Sequence, residues 1–183
     1  MRFTNAASLK EYRAQLCQSQ ADKQAILWVC GGTGCRASGS LKVLQALKAE
    51  ADRYDRARSV QLKVKASGCH GFCQHGPLVV YTPKNIFYQK VRPEDAPDII
   101  QETVLKGELI PRLLYHDSAT HKAMPYVQDI PFYHKQKRIA LGNNGRIDPE
   151  SIDDYIAVGG YAALAKTLTC MSPEAVIEEI KLA

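Results

Sequence analysis

The chain has 183 residues, 45% hydrophobic and 23% charged, enough for one ordinary domain and an appended piece around cores that need no disulfide staples. A formal net charge of +5 and a pI near 8.9 are mildly basic, without the dense basic cluster and interleaved aromatics of a nucleic-acid binder; an acidic protein partner or an anionic cofactor suits that charge. The N-terminus lacks an apolar signal region and the sequence lacks a run of about 18 apolar residues, so neither secretion nor membrane insertion is expected, and the six cysteines are expected to lie in a reducing cytoplasm, where thiols usually mean metal or redox chemistry.

Ser8-Leu9-Lys10-Glu11 has the form of a capping box and opens a first helix with Leu9, Tyr12 and Leu16 on one face. Cys17, beside that face, reads as a small buried apolar residue. Ala25 to Val29 is a short continuous apolar run, as expected of a strand buried on both faces. Cys30 follows, then a glycine-rich loop with Cys35. Next comes a helix capped by Ser38 or Ser40, with Leu41, Leu44, Leu47, Ala51 and Tyr54 as its apolar stripe. Val60, Leu62, Val64 and Ala66 alternate with Gln61, Lys63 and Lys65, which predicts a strand with one buried face; Cys69 and Cys73 come after it. A strand–helix–strand unit makes the two strands parallel. Both cysteine loops then leave the same edge of an α/β sheet, the edge where ligands usually bind.

Leu78–Tyr81 and Ile86–Val91, joined by "TPKN", predict a hairpin, and Pro93 to Lys106 a helix with Gly107 as its C-cap. Residues 1–107 are therefore expected to form one domain. Residues 108–137, with Pro111, Pro125 and Pro131 and no period, read as a connector. From Arg112 to Arg146 six Lys/Arg face two acids, net +4; the plain reading is a solvated linker and the functional one a strap along an acidic partner. Residues 138–183 turn helical again. Asp148 and Pro149 mark one helix start, Gly159-Gly160 a break, and Ser172-Pro173-Glu174 a second start.

The cysteines carry the chemistry: Cys30-x4-Cys35-x33-Cys69-x3-Cys73. Thiolates are soft ligands that select zinc, copper(I) or iron–sulfur clusters. Structural zinc knuckles are usually C-x2-C; the wider gaps here suit a two-iron rhombus. Gly31, Gly32, Gly34, Gly68 and Gly71 are candidate backbone N–H donors to its sulfurs, and the helix start near Ser38 would favour its negative charge. A plant-type ferredoxin would want C-x4-C-x2-C, a Rieske centre two histidines and a thioredoxin-type dithiol C-x-x-C. With four cysteines present, His70 and His75 read as supporting or surface groups, and Cys170 as structural. A structural zinc module used for docking, a thiol–disulfide oxidoreductase, and an assembly role with the cluster off the main electron path stay open beside the electron relay.

"CGGTGCRASGS" followed by "ASGCHGFCQHGPLVVY" resembles the thioredoxin-like [2Fe-2S] ferredoxin domain of complex I and of related NAD-linked hydrogenases. "FYHKQKRIALGNNGRIDPESIDDYIAVGGYAALAKTLTCMSPEAVIEEIK" is similar to the entry segment of their NADH-binding flavoprotein subunit, as in bifurcating [FeFe] hydrogenases and formate dehydrogenases. The resemblance implies a mixed sheet with flanking helices, followed by a linker and a short helical C-terminal segment. It implies that Cys30, Cys35, Cys69 and Cys73 ligate a [2Fe-2S] cluster. It implies partners among the flavoprotein and iron–sulfur subunits of an NAD-linked complex. FMN, NADH and a [4Fe-4S] cluster belong in that family to sequence beyond "IKLA". The chain is therefore expected to be a truncated fragment or split subunit that moves single electrons without oxidising NADH alone. Residues from about 108 onward are expected to pack weakly against the first domain.

Overall fold

Strand β1 (Ala25–Cys30) sends its side chains alternately into two cores. Leu27 and Val29 enter one, Trp28 and Cys30 the other, and all four are buried. The computed structural model describes Phe3 and residues 5–21, 25–58 and 62–183, and the chain divides into two compact units, Lys23–Pro149 and Met1–Asp22 with Glu150–Ala183.

In the larger unit β1 lies parallel to β2 (Leu62–Ser67), with Cys30 opposite Ser67, and antiparallel to β3 (Val79–Thr82). β3 pairs antiparallel with β4 (Ile86–Tyr88), completing a mixed sheet of order β2-β1-β3-β4. The parallel pair and the hairpin are as the sequence predicts. Val60 and Gln61, expected to begin β2, lie outside the described residues.

The first face is covered by helices. α3 (Ser40–Arg58) contributes Val43, Leu47 and Ala51. Leu41, expected in that stripe, is 45% exposed, because the helix starts at Ser40 and turns Val43 inward instead. Pro93–Lys106 is helical as predicted, though unevenly wound. A 3-10 turn (Pro93–Asp95) runs through α4 (Ala96–Asp98) into a π-helical stretch (Ile99–Lys106), closed by Gly107 at φ 75. Ile99 and Ile100 reach the same core.

The second face is covered by the segment expected to be a solvated linker. Trp28, Val80 and Phe87 point to that side, and an apolar sheet face must be covered. Tyr115, Met124, Val127, Ile130 and Tyr133 pack there, while Ile110, Leu113 and Leu114 close the first core. This segment also occupies the edge of β4. The Phe87 N–H donates to the Pro125 carbonyl at 2.7 Å and the Gln89 N–H to that of Leu113 at 2.9 Å. Its small elements are β5 (Tyr115–His116), β6 (Ala123–Met124) and α5 (Pro131–His134). Over residues 108–149 the expectation of weak packing therefore gives way to a stretch that is part of the sheet's packing.

The smaller unit is helical. α1 (Ala6–Ala21) starts a turn earlier than the Ser8 capping box implies. Asn5 is the cap, its side chain accepting from the Ser8 N–H at 2.8 Å. Tyr12 donates its hydroxyl to Asp153 at 2.9 Å and Arg13 its Nε–H to the Ala157 carbonyl at 3.2 Å, tying α1 to α6 (Ile152–Ala157). Cys17 is exposed rather than buried. α6 is capped by Ser151, whose Oγ accepts from the Asp154 N–H, and not by Asp148. α7 (Ala162–Cys170) and α8 (Pro173–Leu182) follow; the Gly159 turn and the Ser172-Pro173 start are as predicted.

Candidate metal centre

Cys30 ends β1 between two clamps. Its own N–H donates to the Leu78 carbonyl at 3.0 Å, and the Gly31 N–H donates to the Ser67 carbonyl at 2.9 Å. The first loop is not the open loop its glycines suggest. Thr33–Ala37 forms a short helix, α2, that carries Cys35, fully buried. The Ser38 hydroxyl donates to the Gly34 carbonyl at 3.0 Å and so closes α2 instead of capping α3. In the second loop the Cys69 and Cys73 sulfurs lie 3.8 Å apart, half-buried and exposed respectively.

The two loops interlock through glycines. A β-carbon added at Gly32 would sit 2.9 Å from Cys69 Sγ, and one at Gly34 3.1 Å from Cys73 Cβ. Reciprocally, one at Gly76 would sit 2.7 Å from Cys35 Sγ. The structure thus brings all four sequence-selected cysteines to one sheet edge, with no side chain between the loops where they meet. Cys17 and Cys170 belong to the smaller unit, and both are exposed.

Backbone donors surround the sulfurs. The Gly71 N–H points at Cys69 Sγ, 3.3 Å away. The Cys30 thiol is pushed down to about 6, first by the hydrogen bond it accepts from the Cys35 thiol, then by the N–H groups of His70 and Gly32, against burial. Cys35 is pushed up, because it holds the proton shared with Cys30 and is buried. Burial also raises Cys69, with the Gly71 N–H opposing. Cys30 is thus the sulfur most readily deprotonated, while Cys35 and Cys69 would release protons on binding metal. Of the five glycines expected to donate, Gly32 and Gly71 do; His70 and Leu78 were not foreseen. Among the described residues, no three His, Cys, Asp or Glu side chains surround a single ion position.

The histidines support the loops. His70 is buried, its Nε2 is 2.9 Å from Ser67 Oγ, and burial aided by Arg138 lowers its pKa to about 4. His75 packs its ring on Phe72 and its Nδ1 hydrogen-bonds Gln89 Oε1 at 2.5 Å. Residues 131–146 close over the second loop. Phe132 stacks on Phe72 at 4.6 Å, and the Arg138 guanidinium donates to the His70 carbonyl. At Gly145 (φ 87) an added β-carbon would be 2.8 Å from the His70 ring. Sequence reasoning missed these partners, having read that stretch for its prolines, its charge and its resemblance to a flavoprotein entry segment; the paired glycines of "GNNG" were the available signal of a tight turn.

The pattern of the thioredoxin-like [2Fe-2S] ferredoxins matches residues 11–104, a span that contains all four cysteines. The chain belongs to that family. A "Ferredoxin, 2Fe-2S" of Clostridium pasteurianum is 30% identical over 79 residues, 43% of this chain and 76% of that one. The NADP-reducing hydrogenase subunit HndC of Solidesulfovibrio fructosivorans is 62% identical over 47 residues, 26% of this chain; the matched stretch spans only 9% of that subunit. The crystal structure of the wild-type thioredoxin-like [2Fe-2S] ferredoxin from Aquifex aeolicus is 27% identical, covering 52% of this chain and 99% of that one, at a TM-score of 0.46. The cofactor of this ferredoxin is accordingly a [2Fe-2S] cluster, and the residues fit it. The thiols are soft donors, the interlocked loops leave no side chain between them, and N–H groups point at the sulfurs. No helix among the described residues is long and apolar enough to cross a membrane.

Proposed function

We propose that Cys30, Cys35, Cys69 and Cys73 ligate the [2Fe-2S] cluster, and that the chain is a one-electron relay in a nicotinamide-linked hydrogenase, formate dehydrogenase or complex I-like oxidoreductase. The reading rests above all on the interlocking of the two cysteine loops, in which glycines of each face thiols of the other. The bound cluster supplies one-electron redox chemistry. The protein's own groups hold it and bias it. The N–H groups of Gly32, His70 and Gly71 stabilise negative charge on the sulfurs, and buried Phe72 keeps water from one side. No acid, base or nucleophile is required. The identity to HndC supports membership in such a complex, with flavoprotein and iron–sulfur subunits as partners. In this reading residues 1–107 carry the cluster, 108–137 connect, and 138–183 lead toward the NADH- and FMN-binding domain.

The test is an absorption and low-temperature EPR spectrum of anaerobically purified protein, before and after dithionite, with iron and acid-labile sulfide assays. Visible bands that bleach on reduction, a rhombic signal and equal iron and sulfide are expected. A colourless, EPR-silent protein carrying zinc would replace the relay with a docking module.

A further inference from the structure

The Tyr133 hydroxyl is buried, and among the described residues nothing accepts its proton; Arg138 can only donate to it. Its ring packs against the core that contains Cys30 and Cys35, at 5.8 Å from the rings of both Phe72 and Phe87. A buried hydroxyl whose proton finds no acceptor is destabilising, so its presence here needs an explanation. Arg138 lies over the ring, 5.0 Å from its centroid, and a guanidinium can only donate. The hydroxyl proton therefore has no acceptor among the described residues. Burial raises the Tyr133 pKa, with Arg138 opposing, so the hydroxyl keeps a proton to donate. Tyr133 also lies outside the stretch that matches the family.

We propose that Tyr133 donates its O–H to the cluster or to a thiolate that holds it, and so raises the reduction potential. This rests on the ligand assignment above. A donor favours the more negative, reduced state over the oxidised one, so removing it makes the cluster harder to reduce. Tyr133 is a tuning donor, supplied by a segment that folds back over the sheet face behind the cysteines.

The decisive experiment is Tyr133→Phe in the full chain. The expected result is unchanged iron and sulfide, a midpoint potential shifted to more negative values, and loss of an exchangeable-proton coupling when pulsed EPR spectra in H2O and D2O are compared. A loaded variant with unmoved potential and unchanged coupling overturns the proposal. Tyr115→Phe is the control, since Tyr115 lines the same aromatic wall at 5.5 Å from Phe72 without a buried orphan hydroxyl; an equal shift there would mean general loosening and would also overturn it. Should the Phe variant shed its cluster, a fluorinated tyrosine at 133, a stronger donor, must shift the potential upward, and no shift would defeat the proposal. Iron-free unaltered protein would instead defeat the ligand assignment, a different result from a loaded Tyr133→Phe protein that has not moved.

Discussion

The helical unit of Met1–Asp22 with Glu150–Ala183 is richer in apolar residues than Lys23–Pro149, yet it buries fewer of them. In Lys23–Pro149, each central strand feeds two cores, and every buried side chain has a cover. In the helical unit, Ile156 is the one buried hydrophobic residue among those described, while Leu164, Leu168, Ile177 and Ile180 stand in water. The period of two explains the contrast. A strand such as β1 with apolar residues at every position demands a layer on each side, and the chain supplies both. Short helices present one stripe each, and α7 and α8 leave most of their larger apolar side chains exposed. Chemistry sits at the margin of burial: Cys30 and Cys35 lie in the second core with Trp28 and Phe87, while Cys69 is half-buried and Cys73 exposed.

The largest effect that would sharpen this comparison is Cys35→Ala. Removing a fully buried thiol at the centre of the interlocked loops should abolish the cluster, with iron and sulfide falling to background and visible absorbance lost. The helical unit should keep its ellipticity. Unchanged colour and iron content would break the ligand set, and loss of helical signal would show that the two units do not stand independently.

Next in size is Ile130→Ala. Ile130 is fully buried on the second face and belongs to the stretch whose composition reads as a linker. A cavity there should cost about 2–5 kcal/mol. Urea unfolding followed by fluorescence of Trp28, the single tryptophan, reports on this unit alone. A change near zero would restore the linker.

These two positions also mark how far the sequence was legible. β1, β2 and the hairpin were plain from periodicity, and the four cysteines stood out because thiols between glycines have little reason to exist in a reducing compartment except to bind metal. Packing partners were harder to see. Residues 108–149 carry no period, because they follow the relief of a sheet face rather than a helix or strand of their own. The covering roles of Ile130, Phe132, Tyr133 and Arg138 therefore have no local signature. Caps failed for a related reason. Ser8 and Asp148 each have the right chemistry, but Asn5 and Ser151 lie where the chain enters the helix, and position decides which polar residue becomes the cap.

The smallest expected effect is Leu168→Gln on α7, where Leu168 is 75% exposed. Leucine and glutamine have nearly equal helix propensity, so the substitution changes side-chain burial and little else. With no burial to lose, stability read from far-UV ellipticity in urea should move by no more than about 0.5 kcal/mol. Ile156→Ala in the same unit is the internal standard. Ile156 is 2% exposed, and its truncation should cost about 2–4 kcal/mol by the same readout. If Leu168→Gln cost as much as Ile156→Ala, the α7 face would be covered in solution, and sedimentation of the two variants would show whether a second copy of the chain is the cover. If the two differ as expected, the sparse core of the helical unit is its own property, and the contrast with the two-layered unit stands on the chain alone.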